Sequence, residues 1–231
     1  MLSNFVVWKN YSILYCKEDD ILPDILETFY GKGIEINQSL LSTSIYDSLN
    51  KTLSDIFGKR NWKFLSIIEH PIERFFRKFI HYCFYGNNFK ETQNCYGCKD
   101  NLECLISVIF EVSTEYTKKE LIFKPTYFDN IFMPYSWKCN FYKDLRHYEK
   151  IIYYDKFKFK TQITKLLNDT NVIIKNNNTF DTLIEKAHEK NMENEINKYK
   201  ELFLNDRKML FKFVTVYFHD FLRYGIEMPT F

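Results

Sequence analysis

The stretch Trp62–Phe79, WKFLSIIEHPIERFFRKF, constrains this chain more than any other. Phe64–Ile68 is an apolar, β-branched run of strand length, short enough to be buried in a sheet. Glu69-His70-Pro71 ends the run. Pro71 disfavours the helical region for His70 and suits the first position of a helix. From Ile72 the apolar residues recur at helical spacing as Ile72, Phe75, Phe76, Phe79 and Ile80, with Arg74, Arg77 and Lys78 among them. A strand that turns sharply into a helix N-terminus offers N–H groups and the positive end of a dipole, a ready anion seat. On pattern alone the plain scaffold reading outweighs the anion seat, because a fold does not imply a function.

At 231 residues the economical expectation is a single domain, 1–231, long enough to bury a real core. A formal net charge of +2 argues against nucleic acid as a partner, which calls for a strong basic excess. No stretch approaches the roughly 20 apolar residues of a membrane helix. The opening MLSNFVVWKNYS carries too short an apolar run for a signal peptide.

The central stretch resembles the segment with which carbohydrate sulfotransferases hold the 3′-phosphate of 3′-phosphoadenosine 5′-phosphosulfate. That family pattern is an apolar strand, then Arg-x-Pro-x-x-Arg, a Ser three residues on, and an aromatic two beyond. Pro71, Glu73, Arg74 and Phe79 match; Glu69 and Arg77 replace the first Arg and the Ser. The strand candidate Tyr11–Cys16 resembles the start of the family's phosphosulfate loop, where Cys-x3-Lys is followed by a hydroxyl residue. Here Asp20 stands at the position of the lysine, Lys17 lies three residues early, and Pro23 and Asp24 occupy the hydroxyl positions. The block Ile131–Cys139, IFMPYSWKC, is similar to His-x-x-Pro-Gln-x-x-x-Cys, with Pro134, Trp137 and Cys139 matching, Ile131 in place of the His and Tyr135 in place of the Gln. For this block a Pro turn with buried aromatics is the favoured structural reading. VTVYFHDFLRYG resembles the family's closing Tyr-x-x-Asp-Phe signature through Tyr217, Asp220, Phe221 and Gly225, with Asp220 taken as structural and bonding a turn.

What the resemblance implies is an α/β, P-loop-NTPase-like sulfotransferase fold: a central parallel sheet flanked by helices, with a helical C-terminal third. It implies 3′-phosphoadenosine 5′-phosphosulfate as co-substrate, no metal, and a glycan acceptor such as a glycosaminoglycan. Arg74, Arg77, His70 and Lys17 are the expected nucleotide-binding set, and His70 and Lys17 the catalytic candidates. The setting implied is the Golgi lumen, with membrane attachment only through an anchor missing from this chain. Because several donor positions are substituted, two readings stay open: a glycan O-sulfotransferase with a rearranged donor site, or an inactive relative that binds glycan or protein.

Cys95-x2-Cys98 with Cys104 nearby also fits part of a zinc site in a cytosolic interaction domain. NCYGCKDNLECLISVIF, however, resembles the Cys-rich loop of one branch of the family, which implies lumenal disulfides drawn from Cys83, Cys95, Cys98, Cys104 and Cys139. Cys16, in a buried strand, is then expected as a free, inert thiol. Acceptor sequences for N-glycosylation begin at Asn10, Asn37, Asn50, Asn168 and Asn177, in keeping with a secretory route.

Elsewhere the pattern predicts helices over Ile21–Tyr30, Ser44–Phe57, Leu105–Tyr116, Phe157–Leu167, Asp181–His188, Met192–Leu204 and Asp206–Tyr224. It predicts a strand over Tyr148–Tyr154, a loop over Asn168–Phe180, and a connection through Gly31–Arg60. Asp181 and Asp206 are the expected N-caps. His147 and His188 lack a partner at ligand spacing and are expected at the surface.

Overall fold

A computed structural model describes residues 4–17, 21–37, 51, 53–55, 57–58, 61–85, 94–118, 126–139, 141, 145–174, 177–187 and 193–230. In chain order the elements are β1 (Asn4–Trp8), β2 (Ile13–Lys17), α1 (Ile21–Tyr30), β3 (Ile34–Asn37), β4 (Lys63–Ile68) and α2 (Pro71–Phe79). They continue as α3 (Leu102–Lys118), α4 (Tyr127–Phe132), β5 (Tyr148–Ile152), α5 (Lys156–Asp169), α6 (Asn177–Ala187), α7 (Glu193–Asn205) and α8 (Arg207–Tyr224). The chain divides into two compact units, one of Leu2–Glu69 with Trp137–Glu189, the other of His70–Ser136 with Lys190–Phe231.

The first unit holds the sheet, in the order β3-β1-β2-β4-β5. Strands β2, β4 and β5 are parallel, as expected, with Leu14 opposite Phe64 and Phe64 opposite Tyr148. The antiparallel pair β1 and β3 extends them, so the sheet is mixed rather than purely parallel. Both added strands were missed in the sequence: FVVW is short, and IEIN alternates too briefly to declare itself. On one face Val6, Ile13, Tyr15, Leu65, Ile67 and Ile151 pack with the apolar sides of α1, α5 and α6. Each fully buried aliphatic side chain there contributes roughly 1.5–3 kcal/mol. The edge strand β5 is closed by Gln162 of α5, which accepts from Ile152 N at 2.7 Å and donates to Lys150 O at 2.8 Å. Such pairing blunts an exposed edge.

Asp155 caps α5 by accepting from Lys158 N. The loop expected over Asn168–Phe180 is shorter than predicted, and Asp181 is not a cap: α6 already begins at Asn177. An Asn-rich polar run looks like a loop in composition, but Phe180 and Ile184 give it one apolar side that the core buries. Most of Ser44–Phe57 lies outside the described residues, as do Asp20 and His188.

The second unit is helical. Its core is aromatic, with Phe75, Phe76 and Phe79 of α2 against Phe203 of α7, Phe213 and Tyr217 of α8, and Phe132 of α4. The ring centroids lie between 5.1 and 6.2 Å apart at steep angles, the arrangement that the quadrupoles of aromatic rings favour. Asp206 caps α8 through Lys208 N and Met209 N, and Gly225 ends it in the left-handed region at φ 66°, both local signals the sequence carries.

Three disulfides bind all six cysteines: Cys16–Cys139 in the sheet unit, and Cys83–Cys95 and Cys98–Cys104 in the helical unit. Cys16 is therefore not a free thiol. Its partner precedes β5, two strands away across the parallel sheet, and only the sheet order brings the pair together. Among the described residues no group of His, Cys, Asp and Glu is arranged to hold a metal ion.

Candidate functional site

Strand β4 ends at Ile68 and α2 begins at Pro71, so the strand–turn–helix unit forms where the sequence predicts it. His70 is the N-cap with φ −65° and ψ 125°, the extended conformation that a residue before proline favours. It gives no side-chain cap, and its half-buried ring meets Phe221 edge-on at 6.0 Å. Burial pushes the imidazole below its ordinary value, with Lys200 adding to the shift and Glu73 opposing it. That shift favours the neutral imidazole at neutral pH.

Arg74, four residues on, is 2% exposed. Its Nη2 donates to Met133 O at 2.5 Å and Ile131 O at 3.3 Å, and its Cζ lies 3.8 Å from the centroid of the Tyr135 ring. The carboxylate of Asp220, 1% exposed, approaches Nη1 at 3.7 Å. That carboxylate also accepts from Tyr135 N and Ser136 N, each at 2.8 Å. Burial pushes the Asp220 carboxyl upward, while Arg74 and the two amide donors pull it back. Tyr217, one turn before Asp220, donates to Phe132 O. Asp220 does bond a turn, as its place in the closing signature implied, and the Pro134 block is a turn with buried aromatics.

Arg77 and Lys78 take the half-exposed side of α2. Their charge reaches His81, whose pKa burial lowers first and these two cations lower further. An anionic group at this helix would meet that field. Lys17, in the sheet unit at the end of β2, pairs with Glu35 Oε1 at 2.7 Å. Glu69, at the position of the family's first Arg, is buried at 3% exposure. His70, Arg74 and Arg77 therefore share one helix, Arg74 with its guanidinium turned into the helical unit, while Lys17 belongs to the other unit. His147 is half-buried, and its Nε2 accepts from Arg146.

Sequence reasoning did not foresee the network at the start of α4. Thr126 and Asp129 form a capping box there, and Tyr96 donates to Asp129 Oδ1 at 2.7 Å. Tyr96 sits at φ 58° between Cys95 at 49° and Gly97 at 83°. That left-handed run is held by the disulfides on either side of it.

Compared with known proteins, the chain matches the model described as "Sulfotransferase family" over residues 29–226. It is 24% identical over 178 residues to "Carbohydrate sulfotransferase chst-1" of Caenorhabditis elegans, covering 72% of this chain and 53% of that protein. It is 32% identical over 97 residues to "Putative sulfotransferase vep-2" of the same organism, covering 42% of this chain and 30% of that one. The chain thus spans about half the length of the first relative and less than a third of the second. No solved structure gives a significant match.

Proposed function

The chain belongs to the sulfotransferase family, and on that premise we propose that it transfers a sulfo group from 3′-phosphoadenosine 5′-phosphosulfate to a hydroxyl of a glycan, such as a glycosaminoglycan. The observation that carries the reading is the family match over 29–226, joined to a relative whose name is carbohydrate sulfotransferase. In the reaction a sugar oxygen attacks sulfur, the bond from sulfur to the bridging phosphate oxygen breaks, and the hydroxyl proton goes to a base. Neutral His70 is the candidate base. Arg77, with the first N–H groups of α2, offers the positive charge that a ribose phosphate needs. Lys17, the other candidate that the resemblance implied, is paired with Glu35. Three disulfides support an oxidising lumenal setting such as the Golgi.

A second reading, an inactive relative that holds a glycan or a protein, is favoured by one specific observation. Arg74, the one arginine that matches the family's phosphate motif, is directed to backbone carbonyls and to Asp220. Losing one preorganised electrostatic contact costs about 2.7–4 kcal/mol in a transition state. Calorimetric titration with 3′-phosphoadenosine 5′-phosphate separates the readings. Saturable heat supports the donor site, and its absence at millimolar nucleotide leaves the inactive relative.

A further inference from the structure

We infer that Arg74 and Asp220 are a positioning pair, which fixes the first turn of α2 and the Ile131–Ser136 turn as one piece and makes no contact with substrate. The consequence for nucleotide rests on the donor reading above, since it places an anion at the start of α2. The pair itself rests only on geometry.

The buried segment Ile131–Ser136 ends helix α4 and turns through Pro134, so the last helical carbonyls and the amides after Pro134 have no helical partner. Side chains supply the partners instead. Arg74 takes the carbonyls of Ile131 and Met133, Tyr217 takes that of Phe132, and Asp220 takes the amides of Tyr135 and Ser136. A guanidinium suits this task because its donors lie in one rigid plane, and the face of that plane rests on Tyr135. Arg74 also stands in the first turn of α2, its own N–H bonded to His70 O at 2.9 Å. Any shift of the Ile131–Ser136 turn is therefore passed to the residue that opens the helix. A phosphate seeking Arg74 directly would have to displace two carbonyls and approach a carboxylate 3.7 Å from Nη1. The outer cation Arg77 faces no such barrier of burial.

Asp220→Asn separates the roles because they predict opposite signs. If Arg74 binds phosphate, removing the competing carboxylate tightens 3′-phosphoadenosine 5′-phosphate. If the two are a positioning pair, one turn amide loses its acceptor and the nucleotide binds about fivefold or more weakly, with an unchanged dependence on salt. Hydrogen exchange at Tyr135 and Ser136 should accelerate in Asp220→Asn, and at Met133, Tyr135 and Ser136 in Arg74→Lys, while the sheet unit keeps its protection. Tighter binding in Asp220→Asn, or a shallower salt slope at retained affinity in Arg74→Lys, overturns the assignment. Should wild type bind no nucleotide, the donor reading fails and exchange alone decides. Faster exchange in both variants then supports the pair, and unchanged exchange refutes it.

Discussion

The two units are stabilised by different chemistry. The core of the sheet unit is dominated by aliphatic packing, with Ile13, Leu65, Ile67 and Ile151 against the greasy sides of three helices; Ser66 and Glu69 are buried there as well, while ion pairs such as Lys63–Asp169 and Lys17–Glu35 lie at the surface. The helical unit buries an ion pair, a tyrosine hydroxyl and a turn of irregular backbone within its aromatic core. An apolar core loses stability in proportion to the volume removed. A buried polar network is worth keeping only when every member is satisfied, so a single loss strands its partners. The contrast teaches that the donor-motif arginine is tied to the fold of its own unit and cannot be judged from the motif alone.

The largest effect expected falls in the sheet unit and comes from its covalent link. Replacing Cys16 and Cys139 by Ser opens a closure of 123 residues and should cost about 5 kcal/mol in denaturant unfolding, by chain entropy. Next, Asp220→Ala should cost about 3–5 kcal/mol by stranding Arg74 and two amides. The double variant Arg74→Met, Asp220→Leu should recover a large part of that loss. If it is no more stable than Asp220→Ala, the contrast between the units is broken. Ile67→Val, which removes one methylene from the apolar core, should cost about 1 kcal/mol with no change in exchange elsewhere.

The smallest effect is in pH. His70 has its folded pKa lowered by burial, so below about 6.5 the unfolded chain binds more protons than the folded one. Stability should therefore fall as pH drops through 6.5 and level off below the folded value. His70→Gln should flatten part of that slope in melting curves taken between pH 7.5 and 5. An unchanged slope would remove the argument that His70 is held neutral.

Much of this was legible because its causes are local. Pro71, the Phe75–Phe79 spacing, Asp206 and Gly225 announce α2 and α8 within a few residues, and α1 lies where its pattern places it. The family emerged from four blocks in order. What stayed hidden depends on partners far along the chain. β1 exists because β2 and β3 flank it. Cys16 pairs 123 residues away, and Arg74 meets carbonyls 57 and 59 residues on. A motif fixes residue type and spacing, yet the direction a guanidinium takes is decided by those distant groups.

The Cys16–Cys139 bond carries a consequence for biosynthesis. During translation Cys16 must wait, reduced, until 123 further residues have been made. Cys83 and Cys98 meet their partners after only 12 and 6. The sheet would thus be sealed after both local bridges have had time to close, and an exposed Cys16 in that interval is the thiol most open to a wrong partner. Once sealed, a protease nick between these two cysteines frees no fragment until a thiol reductant is added.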